Sequence, residues 1–276
     1  MFFQKILESL PLNVKGLPKF KAFCLQKFIN SKYGIAKFPK KLKLEVDLDN
    51  ITEVPLWFGI YPKLVHYFLK YNIRPNSSFI DCGSNLGIWS LLALDFKPSE
   101  NRTIISFEPN PNLYNRLIDT RKLNKIEINN WEISNYALSQ DNQEKIIYID
   151  SDVHQLSTLN PIKKLDFNKS IKIKCTRLDD FNINNRVSGI KIDVEGHESD
   201  VLLGGLRRLS TDKPWLIIEF NSSYAGCSDI NDWKVLPILR ELGYNSYKTF
   251  QNNDSQHDVQ DILFVHKDKA ENILFK

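Results

Sequence analysis

The fold is decided by the stretch Phe79-Ile80-Asp81-Cys82-Gly83-Ser84-Asn85-Leu86-Gly87, where an apolar run meets a glycine-bearing turn. A strand followed by such a turn and a helix is how a doubly wound α/β sheet exposes its backbone to a nucleotide. A second apolar run ends in Glu108, 27 residues after Asp81. An acid at the end of the next strand suits the hydroxyl groups of a ribose. Together the two features predict a nucleotide site at the carboxyl ends of parallel strands.

The residues of the turn distinguish between two classes of nucleotide. A dinucleotide fold spaces its glycines G-x-G-x-x-G so that the backbone approaches a pyrophosphate. Here Asn85 replaces the middle glycine, and the charge of Asp81 opposes a phosphate, so a dehydrogenase is the disfavoured alternative. S-adenosylmethionine has no phosphate and presents an ammonium and a sulfonium. The turn therefore predicts an S-adenosylmethionine site, in which Gly83 and Gly87 permit the tight turn and Glu108 binds the ribose.

Apolar runs continue to alternate with helical patterns along the chain, which is typical of a mostly parallel sheet. The predicted strands are residues 42–48, 103–107, 131–136, 145–149, 171–175, 189–194 and 215–220. The predicted helices are residues 61–71, 111–124, 198–209 and 233–242. Residues 244–250 and 261–265 are expected to form a terminal antiparallel hairpin. The pattern indicates one α/β domain.

Length and composition bound the class of protein. A chain of 276 residues suits one domain over residues 42–276, preceded by a basic, helical extension over residues 1–41 with a break at 30–39. No apolar run approaches the ~18 residues of a membrane span. The four cysteines form no C-x-x-C pair, so they indicate neither a zinc site nor a redox site. Without a signal-peptide pattern either, the expected location is cytoplasmic.

The positive charge is concentrated at the start of the chain. Residues 1–43 hold ten lysines and one acid, Glu8, whereas the remainder holds 27 basic and 32 acidic residues. Phenylalanines are interspersed among these lysines. One interpretation is a surface that contacts an acidic membrane, a nucleic acid or an anionic substrate. The other is a solvated amphipathic helix, and the sequence leaves both open.

A second group of polar residues, Lys191-Ile192-Asp193-Val194-Glu195-Gly196-His197-Glu198, follows a strand that is otherwise apolar. Ligands of open α/β sheets bind at such carboxyl ends. Methyl transfer to an alcohol needs a base or a metal, because a hydroxyl is a poor nucleophile near neutral pH. Asp193, Glu195 and His197 are therefore candidate catalytic residues. Individually, the glutamates could instead complement a helix dipole, and the histidine could simply lie at the surface.

Two further features extend this group. His154 lies in a polar loop where a substrate lid is expected, so it is a fourth candidate catalytic residue. Glu219 ends the next strand and points to the same sheet edge. Its carboxylate, with those of Asp193 and Glu195, offers oxygen ligands for Mg²⁺, although no spacing rule singles out a metal site here.

Five segments, taken together and in this order, resemble the FkbM-type methyltransferases, which are class I S-adenosylmethionine-dependent enzymes. The segments are residues 79–87, 106–111, 135–139, 176–180 and 191–198, within a match over about 42–220. The resemblance implies a Rossmann-like, seven-stranded, mostly parallel sheet in which the first turn holds the methionine part of the cofactor. It also implies that Tyr136 and Ala137 lie near the adenine and that Asp193 faces the methyl group. The expected cofactor-binding residues are Asp81, Gly83, Ser84, Asn85, Gly87, Glu108, Pro109, Asn110, Tyr136, Ala137 and Asp193.

The resemblance implies methylation of a hydroxyl oxygen on a sugar, a glycan or a secondary metabolite. The first alternative is an RNA ribose 2′-O-methyltransferase in which Lys191, Asp193 and Glu219 belong to a Lys-Asp-Lys-Glu tetrad, although no second lysine is evident. The second alternative is a non-catalytic cofactor-binding module that contacts a membrane surface or a partner through its basic leader. The sequence gives no indication of the oligomeric state.

Overall fold

A computed structural model describes residues 32–95, 100–149, 157–159, 169–250 and 259–274, and the structural statements below concern these residues. The strands are β1 (Tyr33–Lys37), β2 (Lys43–Asp47), β3 (Ser77–Cys82), β4 (Thr103–Phe107), β5 (Trp131–Ser134), β6 (Ala137–Leu138), β7 (Lys145–Ile149), β8 (Ser157–Thr158), β9 (Lys169–Ile173), β10 (Cys175–Thr176), β11 (Arg186–Ile192), β12 (Trp215–Asn221), β13 (Tyr244–Phe250) and β14 (Val259–His266). The α-helices are α1 (Val54–Trp57), α2 (Lys63–Asn72), α3 (Ile88–Ala93), α4 (Pro111–Leu123), α5 (Glu198–Leu203), α6 (Leu206–Asp212), α7 (Ser222–Ala225) and α8 (Val235–Glu241).

The main sheet has seven strands in the order β13-β14-β12-β11-β3-β4-β5. Strands β5, β4, β3, β11 and β12 pair in parallel, whereas β14 runs antiparallel to both β12 and β13. The chain builds outward from β3 to β5 and then crosses to β11 on the other side of β3. The predicted Rossmann-like α/β fold and its antiparallel terminal hairpin are confirmed. The strand order reverses between β3 and β11, and open α/β sheets bind ligands at such a reversal.

The central strands are apolar because both faces of the sheet are covered. All six residues of β3 are buried. One core cluster packs β3 and β4 side chains, including Phe79, against the N-terminal hairpin and α2 to α4. The other packs Ile80, Phe107 and Ile190 against α5, α6 and α8. Burial of an apolar side chain of this size contributes about 1.5–3 kcal/mol, so the two clusters hold the strand ends in place.

The N-terminal part of the described chain differs from expectation. The segment 30–39 was expected to be a break, but its Tyr33–Lys37 is strand β1, which pairs antiparallel with β2. Ala36 and Phe38 are buried in the core, so this stretch packs with the domain. The predicted division at residue 41 stays a prediction, because residues 1–31 lie outside those described.

The predicted helix over residues 198–209 is interrupted and forms α5 and α6. A side chain at Gly204 would place its Cβ 1.9 Å from the carbonyl oxygen of Ser139. The backbone at Gly204 therefore lies so close to the segment after β6 that no residue larger than glycine fits there. Two smaller sheets, β6 with β10 and β7 with β8 and β9, lie beside this region. No helix within the described ranges has the length and apolar character needed to span a bilayer.

A buried ion pair attaches the N-terminal hairpin to α4. Glu53 is 1% exposed, and its Oε1 and Oε2 accept hydrogen bonds from Arg116 Nη1 and Nη2 at 2.8 and 2.7 Å. The same carboxylate accepts a hydrogen bond from the amide of Asp47, at the end of β2, at 2.8 Å. The ion pair therefore connects strand β2, helix α4 and the segment that precedes α1.

We expect Arg116→Met to lower the free energy of unfolding by about 3 kcal/mol, because a buried carboxylate would lose its charge partner. Lys122→Met on the same helix is the control, since the pair of Lys122 with Asp119 is exposed and contributes at most ~0.5 kcal/mol. Urea unfolding of both variants measures the difference. Equal losses in the two variants would show that the pair with Glu53 does not hold the hairpin.

Candidate active site

The turn after β3 and the segment after β11 meet at the strand-order reversal. Gly83 has φ of +77°, and a Cβ there would lie 1.8 Å from the carbonyl oxygen of Asp193. The amide of Asp193 donates a 3.0 Å hydrogen bond to the carbonyl of Cys82. Only glycine fits a position with this φ and this close an approach. The two polar motifs of the sequence therefore form the two sides of one site.

Glu108 closes one end of this site. Its side chain is buried, and Oε2 accepts a hydrogen bond from the amide of Asn85 at 2.8 Å while Oε1 accepts one from the amide of Asn110 at 2.9 Å. Burial raises the pKa of Glu108 to about 7, although these two backbone hydrogen bonds oppose the shift. Each oxygen keeps a further lone pair for hydroxyl donors. The carboxylate is thus fixed in orientation before any ligand binds.

Asp81 lies behind the turn rather than in the cavity. It is 1% exposed, and its Oδ2 accepts hydrogen bonds from the amide and the hydroxyl of Ser90 at 3.0 and 2.5 Å. Burial raises its pKa to about 6. We expected this acid to face a cationic cofactor, but its carboxylate instead holds the first turn of α3 against β3.

A cleft that is open to solvent lies between the turn and the acidic segment, and its empty space is about 700 Å³ when the solvent at its mouth is included. Of the expected cofactor-binding residues, those that line it are Gly83, Asn85, Glu108, Pro109, Tyr136, Ala137 and Asp193. The others, Asp81, Ser84, Gly87 and Asn110, shape the turn and the start of α4 without lining the cavity. The apolar wall is formed by Phe107, Leu113, Leu138, Ile147 and Leu159, of which Phe107 and Leu138 lie in the motif segments and the other three in none of them.

A cluster of carboxyl groups lies beside the cavity, and Asp193 and Glu195 of this cluster line it. One oxygen from each of Asp193, Glu195 and Glu219 lies within 4.8 Å of the others. Burial and the neighbouring Asp193 raise the pKa of Glu219 to about 11, so Glu219 holds a proton at neutral pH and shares it with Asp193 in a hydrogen bond. These are the three residues expected as Mg²⁺ ligands, and the fold brings them together.

Lys191 supplies positive charge beside this cluster. Its side chain is 1% exposed; its Nζ pairs with Asp261 and lies 3.6 Å from Asp193 Oδ2 and 5.0 Å from the centre of the Trp89 ring. Burial opposes the charge of Lys191, but the surrounding carboxylates outweigh burial and raise its pKa. This ammonium and the proton on Glu219 offset part of the acidic charge of the cluster.

Sequence analysis did not identify Asp261 as part of this site. It lies directly opposite Glu219 in the antiparallel register of β12 and β14. Two acids in this position repel each other unless a cation lies between them. In the sequence, the one indication of its role is that Asp261 is a single acid near the start of an otherwise apolar strand. The charged groups that act on Glu219 are Asp193, Lys191 and Asp261, and they include no second lysine of the kind that the RNA-methylating tetrad requires.

Glu195 differs from its neighbours because one of its oxygens is unused. Its Oε2 is buried and has no hydrogen-bond partner within the described residues. Its backbone is left-handed, with φ of +51°, and its carbonyl accepts a 2.7 Å hydrogen bond from the hydroxyl of Thr158. Burial, followed by the charges of Asp193 and Glu198, raises the pKa of Glu195 to about 8. A carboxylate with this pKa, lining the cavity, suits proton transfer near neutral pH.

His197 also lines the cavity, but both of its ring nitrogens are engaged. Nε2 lies 3.1 Å from the hydroxyl of Ser139, and Nδ1 lies 3.4 Å from Asp200 Oδ2. Lys145 donates to that hydroxyl at 2.8 Å, so the hydroxyl is free to donate to Nε2, and Nδ1 then carries the proton that faces Asp200. Burial lowers the pKa of His197, which favours this neutral form. The ring is therefore held in place more firmly than Glu195.

His154, the remaining candidate, lies outside the described residues, as does most of the polar loop around it. Its suggested contact with substrate stays a prediction.

The family model for the methyltransferase FkbM domain matches residues 81–246. This chain belongs to the FkbM methyltransferase family. The match begins at the turn after β3 and continues through β11 and β12 into β13, so it includes both sides of the cavity. A curated relative, Methyltransferase 1 of Beauveria bassiana, is 29% identical over 186 residues, which are 60% of this chain and 72% of the relative.

Solved structures show the same type of fold. Methyltransferase FkbM from Methylobacillus flagellatus KT is 17% identical with a TM-score of 0.49, over 77% of this chain and 52% of the other, so this FkbM-family chain spans about half the length of that protein. TYW2 of P. horikoshii, in a complex with MeSAdo, is 12% identical with a TM-score of 0.50, over 92% of this chain and 84% of the other.

We expect Glu195→Gln to stabilise the protein at alkaline pH and to leave its stability near pH 4.5 unchanged. The pKa of Glu195 is raised from 4.5 to about 8 on folding, so the folded state holds the proton more tightly and stability falls as the pH rises between these values. The variant does not lose stability in this way, so above pH 8 its free energy of unfolding exceeds that of the wild type by on the order of 2 kcal/mol. Urea unfolding at pH 5 and 8.5 measures it.

Glu241→Gln is the matched control, because Glu241 is an exposed glutamate at the end of α8. It should show no pH-dependent difference from the wild type. A Glu195→Gln variant that is less stable than the wild type at both pH values would contradict the burial of an unpartnered carboxylate.

Proposed function

We propose that this FkbM-family methyltransferase uses S-adenosylmethionine to methylate a hydroxyl oxygen of a neutral sugar or glycan, with Glu195 as the general base. The observation that carries the proposal is the buried, unpartnered Oε2 of Glu195 beside Asp193 in the cavity, opposite the fixed carboxylate of Glu108. One acid is thus placed to bind a ribose, and another is placed to accept a proton.

The cavity fits S-adenosylmethionine in shape and charge. Glu108 offers two oriented oxygens for ribose hydroxyls, and Gly83 exposes backbone where a side chain would block the approach. The apolar wall, with Leu113 and Leu138, suits an adenine ring. A ligand that carries an ammonium and a sulfonium favours the ionised form of the carboxyl groups beside it. We infer that the ribose lies at Glu108 and the reacting end lies toward Asp193.

When bound, S-adenosylmethionine supplies a methyl group on a positively charged sulfur. The chain's own contribution is to prepare the acceptor. The Glu195 carboxylate, which lines the cavity, takes the proton of the acceptor hydroxyl, and its pKa of about 8 is high enough to hold that proton. Asp193 is held by Glu219 and Lys191, so it is placed to orient the acceptor while Glu195 takes the proton.

The charge of the site favours a neutral acceptor over a nucleic acid. Asp193, Glu195 and Glu108 line the cavity, while Lys191 is buried against Asp261 and is not exposed to a ligand. Phosphates near such carboxylates would be repelled. A sugar offers hydroxyl groups without charge, so the geometry supports a sugar acceptor better than an RNA ribose.

We expect Glu108→Gln to weaken the binding of S-adenosylhomocysteine at least tenfold. The amide loses the charge that strengthens hydrogen bonds to ribose hydroxyls, and its NH₂ group faces the backbone amides of Asn85 and Asn110. Glu127→Gln, an exposed glutamate before β5, is the matched control and should bind as the wild type does. Isothermal titration calorimetry measures both. Unchanged affinity in Glu108→Gln would show that the ribose does not bind to this carboxylate.

We expect Glu195→Gln to lower kcat by about 10²–10⁴-fold, the range for loss of a general base, while the affinity for S-adenosylhomocysteine stays within threefold of the wild type. In the wild type, activity should rise with pH up to about 8, because Glu195 must lose its proton to act as a base. The measurement is transfer of a labelled methyl group to a panel of monosaccharides and oligosaccharides, with transfer RNA and ribosomal RNA as competing acceptors.

Two controls accompany this assay. Glu241→Gln should retain full activity, and parallel reactions with EDTA and with added Mg²⁺ show whether a metal takes part. Preferential methylation of RNA would contradict the proposed sugar acceptor and would support methylation of an RNA ribose. Wild-type rates in Glu195→Gln would show that a different group removes the proton.

A further inference from the structure

A second cavity lies at the opposite edge of the main sheet. It is open to solvent, with about 660 Å³ of empty space when the solvent at its mouth is included. Ser77 of β3, Arg186 of β11 and Trp215 of β12 line it near the amino ends of these strands. The proposed active site lies at the carboxyl ends of β3 and β11. A strand rises about 3.3 Å per residue, so the length of β3 separates the two cavities by roughly 20 Å. The second cavity therefore plays no part in holding the cofactor.

Four cationic side chains from separate parts of the chain line this second cavity. They are Arg74 after α2, Arg186 at the start of β11, Lys213 after α6 and Lys269 near the C-terminal end. Burial lowers the pKa of Lys269, and the charges of Arg186, Arg74 and Lys213 lower it further. The four groups are therefore close enough to repel one another. Such an arrangement costs free energy unless anions compensate it.

The acids of the protein compensate only part of this charge. Asp212 is the one acidic residue among the described residues that line the cavity, and it already accepts hydrogen bonds from Arg208 and from the amide of Val187. Lys213 pairs with Asp268. Neither Arg74 nor Lys269 forms an ion pair with any acid in the described part of the chain. At least two positive charges thus face the cavity without a partner.

The rest of the lining supplies neutral hydrogen-bond donors and a rigid floor. The side chains of Asn76 and Asn272 line the cavity and carry amide donors. The Trp215 ring forms the floor and is held by a stacked contact with Phe79 and an edge contact with Phe68. Guanidinium forks, ammonium groups and amides on a concave surface are the chemistry that recognises phosphate.

We propose that this second cavity binds a small phosphate-bearing anion, of the size of a pyrophosphate or a sugar phosphate, at a site separate from the methyl-transfer site. Arg74 and Lys269 provide the charges that the ligand neutralises, and Arg186 and Lys213 border it. The proposal does not depend on the identity of the methyl acceptor. It assigns a role to a basic surface that the cofactor chemistry leaves unused.

The test uses the full-length protein and inorganic pyrophosphate, titrated by calorimetry at low ionic strength. We expect saturable binding that weakens at least tenfold in Arg74→Glu and in Lys269→Glu. Lys63→Glu is the matched control, because Lys63 begins the same helix that Arg74 follows, about 15 Å away along its axis. It should bind within twofold of the wild type. Circular dichroism and S-adenosylhomocysteine binding verify that each variant is folded.

Two outcomes would overturn the proposal. One is the absence of saturable pyrophosphate binding to the wild type. If phosphatidylglycerol vesicles then sediment the wild type but not Arg74→Glu and Lys269→Glu, the surface belongs to an anionic membrane instead. The other is equal weakening in Lys63→Glu and Lys269→Glu, which would show only a general effect of net charge.

Discussion

The structure depends on the contact between the backbone of Gly83 and the carbonyl of Asp193. The adjacent strands β3 and β11 end at this contact, and no side chain larger than hydrogen fits between them. The contact places a turn that exposes backbone next to a segment that is rich in carboxylates. Each motif alone is compatible with many α/β proteins, but their junction creates a cavity with Glu108 at one end and Glu195 at the other.

The fold buries more acidic side chains in this site than its basic side chains neutralise, and this excess sets the pKa values of the site. Lys191 pairs with Asp261 and also faces Asp193, and Glu219 keeps a proton. Glu195 receives no such compensation, so its pKa rises to about 8. A carboxylate of this kind reduces stability at alkaline pH, yet this is the property that a base for a hydroxyl group requires.

Much of the fold was predictable from sequence because it depends on local patterns. The apolar runs that became β3, β4 and β11 are buried on both faces, and the glycine turn follows one of them directly. The break of the 198–209 helix had a sequence signal in Gly204-Gly205, whereas the close approach of Gly204 to the carbonyl of Ser139, which is distant in sequence, had none. Strand β1 was not predictable, because its short alternation is stabilised by pairing with β2 and by packing of Ala36 into the core.

The sequence predicted which residues form the site, but it predicted less well where their side chains point. The motifs identified Glu108, Asp193 and Glu195, which do line the cavity. Asp81 was expected there too, but its carboxylate turns toward Ser90, a choice of rotamer that sequence does not encode. Asp261 comes to the site through strand register, and part of the apolar wall comes from a separate small sheet; neither leaves a motif.

The most direct measurement is a crystal structure of the protein with S-adenosylhomocysteine. The account predicts that the ribose hydroxyls hydrogen-bond to Glu108, that the adenine contacts Leu113 and Leu138, and that the sulfur faces Asp193 and Glu195. A nucleoside bound elsewhere, or bound with its sulfur pointing away from these two carboxylates, would contradict the claim that the turn and the acidic segment form one active site.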